Sequence, residues 1–258
     1  MSLVNYEVKD RVGYIVLNRP EKRNALSQEL VTSLHDALTM AERDERAKVI
    51  VLAAKGEAFC AGADLAYLQQ LQRFSFEENL ADSQHLKNLF LKIYHLTKVV
   101  IAQVNGAALA GGCGLVTVCD FAIASSSARF GYTEVRIGFI PALVTVFLLR
   151  KMGEQKARQL LLSGELISAQ QALDLGMITK VVSPAAELDS MVTEFAQMLV
   201  NNNSAQAMKQ TKQLISDVQG MTLNAALALA AASNAQARAS EDCKRGIAAF
   251  LNKEKLSW

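Results

Sequence analysis

This 258-residue sequence is poor in several things, and each scarcity removes a class of protein. It has four cysteines, Cys60, Cys113, Cys119 and Cys243, and no two of them form a CxxC pair. His35, His85 and His95 are scattered, so no zinc-ligand spacing appears and no metal is expected. Reduced, buried thiols in a cytoplasmic protein are the simplest account. There are only three prolines and few low-complexity runs, which argues against disorder. Neither sign of charge dominates: 27 basic and 25 acidic residues leave a net charge of +2. A nucleic acid partner is therefore not expected, although a local basic patch can still hold a phosphate. Long apolar runs are also missing. "MSLVNYEVKD" is too polar for a signal peptide. The stretch from Val99 to Ala124 is broken by Gln103, Asn105, Gly106, Gly111, Gly112 and Asp120, which a membrane helix tolerates poorly, so no membrane partner is expected.

What is present suits one α/β domain of generous size, or a domain with an appendage: 51% of residues are hydrophobic and 20% charged. "YEVKDRVGYIVLN" reads as a hairpin that turns at Asp10 and Arg11. Ser27 caps a helix running to about Arg43, with Leu30, Leu34, Leu38 and Ala41 on one face. The continuous apolar run 48–54 reads as a buried strand, followed by the turn-rich loop "KGEAFCAGAD" and a helix starting near Asp64. Residues 72–82 are polar, a segment expected to be mobile, and a helix spans about Phe76 to Leu96. Strands follow at Val99–Val104 and 121–125. Beyond Pro141 come helices at "ALVTVFLLRKMG", "EQKARQLLLSG" and "SAQQALDLG", the last opened by Ser168 and stopped by Gly176. "MITKVVS" is a short strand, and from about Ala185 only helices remain.

Three segments carry chemistry. In "FCAGAD" (59–64), small residues and a glycine follow a buried strand and let a ligand approach the backbone; a plain tight turn explains the same letters. In "VNGAALAGGCGL" (104–115), a strand ends at Asn105–Gly106 and a helix starts at Gly111–Gly112. The first N–H groups of that helix have no intrahelical partner and its dipole favours negative charge. Two loops offering one N–H each make an oxyanion hole, although close helix packing also uses paired glycines. In "ARFGYTEVRIGFIPA" (128–142), Glu134 sits among Phe130, Tyr132, Val135 and Ile137. Apolar neighbours raise a carboxyl pKa toward the range useful for proton transfer. The plainer alternative is a surface glutamate paired with Arg136 or Arg129.

Taken together, the order, spacing and flanks of these segments resemble the crotonase family, the enoyl-CoA hydratase/isomerase superfamily. The resemblance covers nearly the whole chain, from "GYIVLNRPEKRNALS" through "AFCAGADL", "VNGAALAGGCGLVTVCDFAIAS", "FGYTEVRIGFIP" and "LLLSGELISAQQALDLGMITKVV" to "SEDCKRGIAAFLNKEK". It implies an α/β spiral of strand–strand–helix units over residues 1–195, carrying the acyl-CoA site, and a C-terminal helical trimerisation segment over 196–258. It implies that the Ala63 and Gly111 N–H groups polarise the thioester carbonyl of an acyl-CoA and that Glu134 serves as acid/base. Coenzyme A would lie along Lys22, Arg23, Ala25 and Leu26 and near Ala61, Ala63, Asp64 and Leu65, with Gly111 and Gly114 at the acyl end. Phe250 and Lys253 would reach the site from a neighbouring subunit of a homotrimer or dimer of trimers. Coenzyme A is part of the substrate, and no separate cofactor is implied.

One position departs from the pattern. Hydratases of the family typically carry a second glutamate where this chain has Gly114. A lone carboxylate suits 3-enoyl to 2-enoyl isomerisation, whereas the wider sequence is similar to bacterial enoyl-CoA or methylglutaconyl-CoA hydratases. Hydration of a 2-enoyl-CoA, of a branched or glutaconyl type among the options, is the leading expectation. Isomerisation, other enolate chemistry and a catalytically weak acyl-CoA-binding protein stand behind it. A glutamate introduced at 114 is expected to fit the helix and face the acyl chain, since Glu is a better helix former than Gly.

Overall fold

The computed structural model describes residues 2–258. Strands β1 (Val4–Lys9) and β2 (Val12–Leu17) form an antiparallel hairpin. Asp10 and Arg11 both take positive φ, 48° and 64°, the handedness that matches a two-residue hairpin turn to strand twist. Helix α1 (Gln28–Arg43) begins at Ser27, whose side chain accepts the Leu30 N–H, and buries Leu30, Leu34, Leu38 and Ala41 as its period requires.

Three units then repeat one plan. The first is β3 (Val49–Ala54), β4 (Ala58–Cys60) and two helices, α2 (Leu65–Leu71) and α3 (Phe76–Tyr94). The second is β5 (Val99–Val104), β6 (Ala107–Leu109) and α4 (Gly111–Val118). The third is β7 (Phe121–Ser125), β8 (Arg129–Gly131) and a 3₁₀ turn at Glu134–Ile137, followed by α5 (Ala142–Met152). The polar stretch 72–82 does not stay irregular. Ser75 and Glu78 form a reciprocal capping box, so α3 starts at Phe76.

Next come α6 (Glu154–Ser163), β9 (Ile167–Ser168), α7 (Ala169–Asp174) and β10 (Lys180–Val182). The five long strands and the short β10 join one six-stranded sheet, ordered β1-β2-β3-β5-β7-β10, and the other short ones a second, ordered β4-β6-β8-β9. Each unit thus climbs from the large sheet to the small one. The chain leaves the small sheet at three neighbouring points, after Cys60, Leu109 and Gly131, from parallel strands paired Cys60 to Ala108 and Leu109 to Gly131. Neighbouring strands lie about 4.8 Å apart, so the three segments that follow emerge side by side.

Close approach between units depends on Gly112. A Cβ there would lie 2.2 Å from the Cys60 carbonyl oxygen. Backbone cannot yield as a side-chain tip does, so Gly112→Ala should lower unfolding free energy by about 1–3 kcal/mol or more, read as a fall in the urea midpoint. An unchanged midpoint would show that α4 has room to shift.

Helix α8 (Leu188–Asn202) packs Val192, Ala196, Leu199 and Val200 into a second core with Val49, Ile101 and Ile123 of the large sheet. The expected boundary at 195/196 falls inside this helix, so the packed body runs on to Asn202. The remaining helices, α9 (Ala205–Asp217), α10 (Leu223–Ala239) and α11 (Glu241–Asn252), bury only Ala249 among their own residues. Among the described residues no helix is long and apolar enough to cross a membrane, and no cluster of His, Cys, Asp or Glu could hold a metal ion. Cys60, Cys113 and Cys119 are buried free thiols, each pushed up to about 12 by burial, which leaves them chemically inert.

Candidate active site

The three exits from the small sheet carry the three residues singled out from the sequence. After β4, Leu26 and Ala63 form an isolated parallel bridge: Leu26 N–H donates to Gly62 O at 2.7 Å, and Asp64 N–H donates to Leu26 O at 2.9 Å. The Gly62 carbonyl and the Ala63 N–H belong to one planar trans peptide, so anchoring the carbonyl on Leu26 aims the N–H the opposite way. Ala63 itself is exposed.

After β6, Ala110 N–H donates to Gly131 O at 2.7 Å, and Ala110 O accepts the Gly114 N–H at 3.0 Å. That again fixes one end of a peptide plane and leaves the Gly111 N–H free at the start of α4. Ala110 holds φ 48°, a region that residues with a side chain rarely adopt. Its N–H bond to β8 and its carbonyl bond into α4 hold it there. Among the described residues neither the Ala63 nor the Gly111 N–H has an acceptor. The two loops touch: a Cβ at Gly62, which has φ 92°, would meet Ala110 Cβ at 3.0 Å. A Cβ at Gly111 would meet Leu26 Cδ1, also at 3.0 Å. Two unpaired N–H donors therefore sit on adjoining loops, one of them at a helix N-terminus, an arrangement suited to an oxygen that gains negative charge.

After β8, Glu134 opens the 3₁₀ turn, which Gly138 closes. Its Oε2 is buried with no hydrogen-bond partner, and no ion pair involving Glu134 exists among the described residues. Arg129 instead donates to the Ser127 and Ala128 carbonyls. The surface-pair alternative is therefore not realised. Burial raises the Glu134 carboxyl above the ordinary glutamate value, opposed by a weaker backbone hydrogen bond. A half-buried carboxyl without a cation is suited to taking up and releasing a proton.

Of the remaining expected residues, Ala25 and Leu26 are buried in the loop facing Ala63, and Ala61 N–H donates to Arg23 O at 3.0 Å. Lys22 and Arg23 are exposed on that loop. Asp64 caps α2 through the Ala66 and Tyr67 N–H groups, and Leu65 stands 78% exposed beside it. Phe250 and Lys253 are not brought to this site. Helix α11 is tied by Trp258 to Arg11 and Asn201, at the end of β2 opposite the Arg19–Leu26 loop. Phe250 is 83% exposed there.

Gly114 departs from expectation. It is buried one turn into α4, and a Cβ on it would lie 2.5 Å from Val144 Cγ1 and 2.9 Å from Phe90 Cζ. Phe90 is fully buried and packs edge-on against Phe147, with ring centroids 6.1 Å apart. The space a glutamate at 114 would enter is filled by α3 and α5, so helix propensity does not decide the matter and the expected fit fails. Sequence reading missed Phe90 and Val144 because nothing in an apolar helix stripe says which neighbouring glycine it covers. It also left Arg19 and Asn24 without a role, although both lie in the quoted "NRPEKRNAL".

Comparison with known proteins gives the chain's relatives. The family model for enoyl-CoA hydratase/isomerase matches residues 7–258. A Thermus thermophilus protein described as an enoyl-CoA hydratase is 41% identical over 95% of this chain and 96% of its own. The crotonyl-CoA hydratase of Syntrophomonas wolfei is 33% identical over 98% and 96%. The crystal structure of an enoyl-CoA hydratase from Mycobacterium smegmatis superposes with a TM-score of 0.93 at 32% identity, covering 99% of this chain and 98% of that one.

Proposed function

The chain belongs to the enoyl-CoA hydratase/isomerase family, and from that premise we propose that it adds water across the double bond of a 2-enoyl-CoA with Glu134 as its single acid/base. The observation that carries this reading is a half-buried carboxyl whose Oε2 has no partner, on the strand exit next to two unpartnered N–H groups. The thioester oxygen accepts from Ala63 and Gly111. The Glu134 carboxylate takes a proton from water as the water oxygen bonds to Cβ. The π pair moves onto the thioester as an enolate, and Glu134 returns the proton to Cα. Both bonds form on the face that Glu134 occupies. Lys22 and Arg23 offer cations to the phosphates of coenzyme A. The exposed faces of α10 and α11 support a homotrimer or dimer of trimers, in which Phe250 and Lys253 of one copy serve the site of the next.

A second reading is favoured by the packing around Gly114. With Phe90 and Val144 filling that side, Glu134 has no second acid to share a water with. A lone carboxyl can also take a proton from C2 of a 3-enoyl-CoA and deliver it to C4. A product screen over 2-enoyl-, 3-enoyl- and glutaconyl-CoA thioesters decides between them. Hydration as the fastest reaction upholds the proposal, and isomerisation without detectable hydration replaces it. Binding without turnover of any of these thioesters would leave an acyl-CoA-binding protein. Gly114→Glu should lower both activities and the melting temperature, because overpacking a filled core costs about 1–3 kcal/mol. A gain in hydration at unchanged melting temperature would mean that Phe90 and Val144 move aside.

A further inference from the structure

We propose that Arg19 is a positioning residue for the oxyanion hole: one guanidinium nitrogen clamps the two backbone segments whose pairing aims the Ala63 N–H. This rests on the reading that Ala63 is an oxyanion donor. The Leu26–Ala63 bridge is a single isolated pair, made by Gly62 O on one side and Asp64 N–H on the other. An isolated bridge has no flanking ladder to hold its angle. Arg19 supplies the missing support. Its Nη1 donates to Ala25 O at 3.1 Å, directly before Leu26, and meets Asp64 Oδ2 at 2.8 Å, directly after Ala63. The two side chains are only 18% and 9% exposed, so solvent screens the pair weakly.

Both ends of the clamp are themselves fixed. The other Asp64 oxygen accepts the Ala66 and Tyr67 N–H groups. Asn24, fully buried at φ 53°, accepts the Arg19 N–H and donates to the Lys55 and Ala58 carbonyls, which pins the loop to the β3–β4 connection. Arg19 therefore couples a rigid loop to the peptide plane that carries the Ala63 N–H. Rotating that plane turns the Ala63 N–H off the thioester oxygen without touching coenzyme A.

The test uses Arg19→Ala, Arg19→Lys and Asp64→Asn in the full chain, with 2,4-hexadienoyl-CoA as a conjugated probe. The absorbance of the bound probe shifts to longer wavelength as its carbonyl is polarised, and at saturation the shift reports donor alignment rather than folded fraction. Arg19→Ala should shrink the shift and lower kcat by about 10- to 100-fold, the scale of an ångström-sized misplacement, with KM little changed. Arg19→Lys should recover part of both, and Asp64→Asn combined with Arg19→Ala should cost no more than either alone. A full wild-type shift in a folded Arg19→Ala variant overturns the clamp. If that variant does not fold, a full shift in Asp64→Asn overturns it equally. Absence of any shift in the wild type would overturn the oxyanion reading itself, a different failure.

Discussion

Glu134→Gln should lower kcat by roughly 10²–10⁴-fold, the range for a positioned general acid/base, with acyl-CoA affinity little changed. The amide fills the same space but can neither take a proton from water nor return it to carbon. The wild-type rate should rise with pH as Glu134 ionises, with a midpoint above the usual glutamate range because burial favours the protonated form. The glutamine variant should lack that limb. Stability should move the opposite way. A carboxyl whose folded pKa is raised stabilises the protein fully below its unfolded pKa, near 4.5, and that contribution is lost as pH rises through the folded value. Once ionised, the wild type therefore holds a half-buried charge whose Oε2 has no partner, and glutamine does not. Glu134→Gln should melt higher than wild type at pH values above the folded pKa of Glu134, with the difference shrinking as pH falls toward 4.5. Unchanged turnover would remove Glu134 from the mechanism. A melting difference independent of pH would remove the burial account of its pKa.

Gly111→Val should lower kcat by roughly 10²–10³-fold, the cost of losing one oxyanion donor. The fold should survive, because the added Cβ meets only the end of a flexible side chain, Leu26 Cδ1, at 3.0 Å. The branched side chain then stands beside the N–H and keeps the thioester oxygen away from it. Gly111→Ala should fall between wild type and valine. Binding of coenzyme A alone should hold, since Lys22 and Arg23 lie on the other loop. A structure with bound acyl-CoA should place the Ala63 and Gly111 nitrogens each at about 3 Å from the thioester oxygen. A carbonyl turned elsewhere, or full activity in Gly111→Val, refutes the assignment.

Sequence alone determined the elements long enough to show a period or a cap. These include the Ser27-capped helix, the strands at 99–104 and 121–125, the hairpin at Asp10–Arg11 and the Ser168 helix start. They are local consequences of side-chain pattern and capping chemistry, which a linear reading contains. The quoted motifs likewise marked Gly111 and Glu134, because glycine at a helix start and a carboxyl among apolar residues are visible one segment at a time, whereas Ala63 followed only from the resemblance to the crotonase family. Tertiary structure decided the rest. The small sheet is built from strands of two or three residues, too short to carry any period, so "EAFCAG" reads as a loop although Ala58–Cys60 pairs with Ala107 and Ala108. That sheet is what sets the three site segments side by side. The role of Arg19 depends on Asp64 lying across from it, a contact 45 positions away along the chain. The fate of Gly114 was set by Phe90 and Val144, which belong to two other helices. Helix propensity spoke for a glutamate there, and packing closed the space, because a core near crystal density has no room for a side chain that its neighbours have already replaced.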